Sequence, residues 1–354
     1  MRVAIVGFPY SGKTTLFRAI SGVSQDHLKP AEENLATVKV PEPRLEWLEQ
    51  LFKPRKRTEA SIDFVDLPGS AEGDSAQAGL AKHLPTLRQS DAMVVTLRAF
   101  PSEAVPMHDN RIDPERDLAE LREEMLLADL LICDNRIEKL EKAITKPTKD
   151  RDQQKHELDL LGKCRDALEN ERPLREVVQP GEQERMLRSF GFLTQKPIIV
   201  AINIGEEQIG AEPPFRDPDA AATIAVCAEL EAEILQMDRE DRPMFMEEYG
   251  ILSLARERII RACFDALGLI VFFTGGGENE VRAWPIPKGT TAAEAAGKIH
   301  SDLQRGFIRA ETVAFDDLYA AGSMREAKAA GKVRLEPKSY IVQDGDLMTI
   351  KFNV

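Results

Sequence analysis

Residues 7 to 14 read Gly7-Phe8-Pro9-Tyr10-Ser11-Gly12-Lys13-Thr14 and follow directly on the apolar run Val3-Ala4-Ile5-Val6. The G-x-x-x-x-G-K-T spacing is that of a phosphate-binding loop. Its glycines let backbone N–H groups close around phosphate oxygens, a lysine reaches the outer phosphates, and a hydroxyl ligates Mg2+. A strand over residues 3–6 and a helix over 14–20, whose positive dipole end faces the loop, are the elements this chemistry requires. Tyr10, Ser11, Gly12, Lys13, Thr14 and Thr15 are therefore the candidate contacts for a nucleoside triphosphate, with Thr14 on the metal.

Two further segments carry compatible chemistry. Asp63-Phe64-Val65-Asp66-Leu67-Pro68-Gly69 ends a strand in Asp-x-x-Gly, which predicts Asp66 beside Mg2+ and the Gly69 amide at the terminal phosphate. Lys13, Asp66 and Gly69 are the expected hydrolytic set. Asn203-Ile204-Gly205-Glu206 follows the strand 198–202, where a GTPase presents Asn-Lys-x-Asp to guanine. A glutamate without the stacking lysine matches the guanine N1 and N2 edge poorly, so Asn203, Ile204 and Glu206 point to adenine, with GTP still possible. Cys227-Ala228-Glu229 occupies the next candidate base loop. No glutamine follows Gly69 and no general base stands out, which predicts slow turnover; His83 reads as a surface or packing residue.

The elements that must hold these residues are legible as short runs rich in branched apolar residues at 3–6, 62–65, 92–97, 198–202 and 223–226, the pattern of buried parallel strands. From Pro114 the text turns charged and helical, with Leu126, Leu130, Cys133, Ile137, Leu140 and Ile144 alternating four and three apart. A break at 145–150 and a second helix carrying Leu158, Leu161 and Leu168 predict an antiparallel hairpin. Farther on, a helix is expected over 253–267, a strand over 269–273 before Gly275-Gly276-Gly277, a helix over 291–303, and two closing strands, 340–342 and 347–352, joined at Asp344-Gly345. The reading is an α/β fold: a doubly wound P-loop NTPase sheet (1–110 and 190–267), an inserted α-helical hairpin (111–189) and a C-terminal α+β module (268–354).

The 354 residues exceed what one core normally organises. A net charge of −13 disfavours indiscriminate binding to nucleic acid, and DNA is not an expected partner. Lys53-Pro54-Arg55-Lys56-Arg57 is the conspicuous basic run and reads as a solvated loop. The four scattered cysteines suggest buried free thiols rather than zinc. No run of 18 apolar residues and no leader pattern is seen, so the expectation is a cytoplasmic protein without membrane contact.

Taken with Glu280-Val281-Arg282-Ala283-Trp284, Gly306-Phe307-Ile308-Arg309-Ala310-Glu311, Tyr340-Ile341-Val342-Gln343-Asp344-Gly345-Asp346 and the closing Phe352-Asn353-Val354, these landmarks resemble the YchF-type Obg-like ATPases over nearly the whole chain. The resemblance implies a TGS-type β-grasp domain at the C-terminus, ATP over GTP, Mg2+, slow hydrolysis, and a ribosome or ribosomal subunit as partner. It also implies RNA contact through the C-terminal domain, for which Arg282, Arg305 and Arg309 are available. The chain departs from the family pattern at Tyr10-Ser11, at Pro30 where a switch I threonine is expected, at Ser70, and in a switch II region with only Gly73 and Gly79. These departures leave two readings open: a Mg2+-dependent ATPase switch, or a nucleotide-binding adapter that has lost hydrolysis. A metabolic kinase is less well supported, for want of a lid arginine cluster.

Overall fold

The computed structural model describes residues 1–30, 32–68, 80–145 and 150–353; the expected contact at Gly69, with Ser70, Gly73 and Gly79, lies outside them. The chain forms two compact units, Met1–Thr37 with Asp63–Ala262, and Val38–Ile62 with Cys263–Val354. The sequence reading assigned 38–62 to the nucleotide domain, but the structure groups it with the C-terminal residues.

The elements begin β1 (Arg2–Val6), α1 (Lys13–Ser21), β2 (Asn34–Lys39), α2 (Pro43–Phe52), β3 (Lys56–Thr58), β4 (Ser61–Asp66), α3 (Leu84–Gln89) and β5 (Ala92–Arg98). There follow α4 (Pro114–Ala143), α5 (Arg151–Glu169), α6 (Glu182–Leu187), β6 (Ile198–Asn203), β7 (Ala222–Val226), α7 (Ala228–Gln236), α8 (Arg242–Glu248) and α9 (Ala255–Ala266). The C-terminal part contains β8 (Leu269–Thr274), β9 (Glu280–Pro287), α10 (Ala292–Ile299), α11 (Ser301–Arg305), β10 (Phe307–Ala314), α12 (Phe315–Ala321), α13 (Met324–Ala329), β11 (Arg334–Glu336) and β12 (Asp346–Phe352).

The first sheet has the order β2-β4-β1-β5-β6-β7. Its pairings from β4 through β7 are parallel. The central strands β5 and β6 are buried at every position, as expected for strands covered on both faces. Parallel pairing places the C-terminal ends of β1, β4 and β6 at one edge, where Gly7, Asp66 and Asn203 stand.

The hairpin is α4 and α5. Asp113 accepts from the Arg116 amide at 3.2 Å and Pro114 opens α4, a favourable start for a 30-residue helix. Cys133, Ile137 and Leu140 pack with Leu160, Leu161, Cys164 and Leu168 in one apolar cluster. Arg136 grips Glu157 across the pair at 2.7 and 2.9 Å. At the root of the arm the buried Asp129 carboxylate accepts from the Leu193 amide (3.0 Å), the Thr194 amide (2.8 Å) and the Thr194 hydroxyl (2.8 Å), fixing α4 to the chain entering β6.

The second sheet has the order β11-β10-β12-β8-β9-β3. Four local expectations are corrected in this unit. The basic run 53–57 is not a free loop: Lys56–Thr58 forms β3, parallel to β9, and Arg57 is held by Glu49 and Glu59 at 2.9 and 3.0 Å. The helix expected over 291–303 is two helices, because His300 adopts extended backbone and its Nδ1 accepts from the Asp302 amide to start α11. Residues 340–342 form no strand; Ile341 makes one isolated bridge to Thr291. The Asp344-Gly345 turn is not a hairpin loop but a junction, with the Gly345 amide donating to the Val271 carbonyl (2.8 Å) and Asp344 accepting from Val271 and Arg44.

Replacing Asp129 with alanine orphans two buried amides, so D129A is expected to lower unfolding free energy by about 3 kcal/mol in a denaturant titration. A loss below about 0.5 kcal/mol would mean that the carboxylate does not anchor the arm.

Candidate functional site

The loop between β1 and α1 is built around two glycines with positive φ. Gly7 (φ +153°) passes so close to the Thr96 carbonyl that a Cβ would collide with it, and a Cβ on Gly12 (φ +91°) would strike the Asn203 amide. Asn203 is buried; its Nδ2 donates to the Ser11 carbonyl at 3.1 Å and its Oδ1 accepts from the Ala228 amide at 3.2 Å. One side chain thereby ties the phosphate loop to the start of α7. Tyr10 holds φ +64°, costly for a non-glycine residue, and is 47% exposed at the loop tip.

Lys13 is only 8% exposed and donates from Nζ to the Phe8 carbonyl at 2.9 Å. Burial lowers its pKa to about 8, against the opposing pull of Asp66. Asp66 is 1% exposed at the end of β4; its Oδ2 accepts from the Thr14 hydroxyl at 3.0 Å and from Asn34 Nδ2 at 3.4 Å. Burial raises the Asp66 pKa, partly offset by Thr14, Asn34 and Lys13. Among the described residues its Oδ1 is buried without a hydrogen-bond partner, as is the Ser11 hydroxyl. An orphaned carboxylate oxygen beside a threonine hydroxyl is a hard-oxygen donor set, which suits Mg2+.

The structure thus brings Lys13, Thr14 and Asp66 together and joins Ser11 to Asn203. Ile204 is buried, Thr15 is partly exposed on α1, and Glu206 is exposed on a short 3-10 turn. Cys227 caps α7, and Glu229 pairs with Arg18 at 3.5 Å. His83 is partly buried with Nε2 3.2 Å from the Pro68 carbonyl, and burial lowers its pKa.

Two neighbours escaped the sequence reading. Asn34, at the first position of β2, contacts Asp66 and also holds the Lys29 backbone, so the polar group reaching Asp66 from this segment comes four residues after Pro30. His108 stacks on the Phe8 ring with centroids 4.0 Å apart, and its Nε2 lies 3.1 Å from Glu120 on α4. The only sequence signal for Asn34 is a polar residue opening a strand; for His108 there is none, since it lies 100 residues from Phe8.

Comparison with known proteins decides the family. A family model described as "50S ribosome-binding GTPase" matches residues 2–136, and the YchF-GTPase C-terminal model, described as a protein of unknown function, matches 269–353. The chain is similar to the "Ribosome-binding ATPase YchF" of Bacillus subtilis (strain 168), at 39% identity over 100% of both chains. The chain belongs to the YchF family. It is also 35% identical to the "Obg-like ATPase 1" of Oryza sativa subsp. japonica, over 100% of this chain and 92% of that one. Among solved structures it matches the Schizosaccharomyces pombe YchF GTPase with a TM-score of 0.81 at 28% identity, covering 99% of this chain and 97% of that one. Its fold is accordingly the YchF combination of a P-loop GTPase-type domain and a TGS-like C-terminal domain, and its class is that of nucleotide hydrolases.

With a free-state pKa of about 8 and a phosphate tail that favours the ammonium, Lys13 must take up a proton on binding nucleotide above that pH. Calorimetry of ATP binding at pH 8.5 in buffers of different ionisation enthalpy should show net proton uptake that disappears at pH 7 and in Lys13→Met. Equal proton uptake in Lys13→Met would assign it to another group.

Proposed function

We propose that this YchF-family protein is a Mg2+-dependent nucleotide switch that prefers ATP to GTP, hydrolyses the β–γ bond slowly, and acts on the ribosome in the cytoplasm. The observation that carries the reading is the buried pair at the phosphate loop, Lys13 and Asp66, with Asp66 Oδ1 left without a partner among the described residues. In this reading Lys13 leaves the Phe8 carbonyl to neutralise the outer phosphates. Thr14 Oγ1 and Asp66 would hold Mg2+, which when bound screens the charge of the β and γ phosphates. Gly7 and Gly12 let the loop amides approach the same oxygens, and Gly69 is the proposed amide donor at the terminal phosphate. Asn203 positions the loop, while Ile204 supplies an apolar surface beside the purine. The longer Glu206 in place of aspartate, and Ile204 in place of lysine, are what favour adenine over guanine. The ribosome as partner follows from the names of the relatives that this chain matches over full length.

Pro30 favours a second reading, a nucleotide-dependent adapter without hydrolysis, because it supplies neither hydroxyl nor N–H where switch I is expected to complete the metal shell. Single-turnover hydrolysis separates the two. The switch predicts phosphate release from ATP, slowed at least about 100-fold in Lys13→Ala; wild type matching Lys13→Ala would select the adapter. Titration with fluorescent ATP and GTP analogues should give tighter ATP binding that weakens when Mg2+ is chelated. Tighter GTP binding would overturn the adenine assignment.

A further inference from the structure

β2 is the outermost strand of the first sheet, and its residues alternate: Leu35, Thr37 and Lys39 are exposed, whereas Asn34, Ala36 and Val38 are the more buried row. Asparagine is a poor strand former, so its place at the head of that row calls for a reason beyond backbone preference. Two side-chain contacts set β2 against β4. Asn34 reaches Asp66 at 3.4 Å and Thr37 reaches Asp63 at 2.7 Å, so a step forward along one strand is a step back along the other. That register stands Asn34 across from Asp66, the last residue of β4. The amide is oriented from its other side. Its Oδ1 accepts from the Lys29 amide at 2.9 Å, and because a backbone N–H can only donate, the amino group must be the part that reaches Asp66. Both amide hydrogens are engaged, one on the Lys29 carbonyl at 3.2 Å and one on Asp66 Oδ2. Thr14 donates to the same Oδ2 at 3.0 Å, so among the described residues every donor to Asp66 lands on one oxygen.

We propose that Asn34 is a positioning residue for the metal site: it holds Asp66 Oδ2 from the β2 side and so fixes the carboxylate with Oδ1 turned toward Mg2+ or a water on it. The inference rests on the Mg2+-dependent nucleotide reading and names the residue that keeps its acidic ligand aimed. The terminal torsion of an aspartate is broad, and a single hydrogen bond leaves it room to turn. Thr14 is the other donor, but its hydroxyl has a second task on the cation, whereas Asn34 has none. An amide also suits the position better than a charged group. An ammonium or guanidinium would neutralise Asp66 and compete with the metal, while the amide orients the carboxylate and leaves its charge for the cation. With Oδ1 of Asn34 turned to Lys29, the amide shows the site hydrogens only, so it aims Asp66 and does not ligate. The same side chain ties the two ends of the segment 29–34 together. The stretch containing Pro30 is thereby linked to Asp66 without the switch I hydroxyl that proline cannot supply.

The test uses the full chain and a fluorescent ATP analogue, titrated once with Mg2+ and once in EDTA, so that the gain in affinity conferred by the metal is read apart from nucleotide binding itself. Asn34→Leu, close in size and unable to donate, should cut that gain about tenfold, the scale on which groups that orient metal ligands act. Its affinity in EDTA should match wild type, which also shows that the phosphate loop is folded. Thr37→Val removes the neighbouring contact between β2 and β4 without touching Asp66 and should keep the full gain. That control separates a misaimed carboxylate from a loosened edge strand. Hydrogen exchange supplies a readout independent of the metal: the Lys29 amide should lose protection in Asn34→Leu and keep it in Thr37→Val. An unchanged gain in Asn34→Leu, equal weakening with and without Mg2+, loss of the gain in Thr37→Val, or a Lys29 amide as protected in Asn34→Leu as in wild type would each overturn the proposal. The two levels fail differently. A wild type that binds the analogue no better with Mg2+ removes the metal-dependent reading and this inference with it. A wild type that shows the gain beside an Asn34→Leu that keeps it leaves that reading standing and removes only the role of Asn34.

Discussion

Two opposite charges buried at the mouth of one loop set the terms for everything else in the nucleotide unit. Taking Lys13 and Asp66 out of water penalises both, which is why the lysine is pulled below its ordinary pKa and the aspartate raised above its own. Neither is fully compensated by the described residues. Among the described residues Lys13 has a carbonyl for a partner, and Asp66 has a hydroxyl and an amide on one oxygen and nothing on the other. A polyanion with a divalent cation is the one ligand class that compensates both at once, since it brings negative charge to the lysine and positive charge to the carboxylate.

Rigid elements hold this frustrated pair in place. Asp66 comes from the end of β4 and Lys13 from the first turn of α1, and both elements pack on β1 or pair with it. Asn203, from the end of β6, reaches the loop from the other side and bonds Ser11 and Ala228, so three strand ends meet at one point. Substitutions at Gly7 or Gly12 would push against a carbonyl and an amide that cannot both retreat without opening this meeting point.

Much of this was legible in the chain itself because it is local. The phosphate loop is eight consecutive residues, the parallel strands announce themselves as short apolar runs, and the hairpin seam repeats at helical spacing in α4. Local text also misled where tertiary contacts decide. The helix pattern over 291–303 continues through His300, yet its side chain offers a cap that restarts the helix. Asp344-Gly345 has the composition of a hairpin turn, but its groups bond to Val271 and Arg44, about 70 and 300 residues away in sequence. The basic run at 53–57 is solvated as text and an edge strand in fact, because its partner β9 lies more than 200 residues downstream. At the site the same division holds: Lys13, Thr14 and Asp66 follow from motif spacing, whereas Asn34 on Asp66 and His108 on Phe8 depend on how distant segments return to the loop.

The central claim, that a buried lysine and a half-partnered buried aspartate await a metal-bound triphosphate, is tested most directly by thermal unfolding of wild type and Asp66→Asn with ATP, with and without Mg2+. Ligands that bind only the folded state raise its melting temperature in proportion to their affinity. The account predicts that Mg2+ adds several degrees to the ATP-induced shift of wild type and adds little in Asp66→Asn, whose ligand-free form melts no lower than wild type. The same Mg2+ increment in both proteins would contradict it.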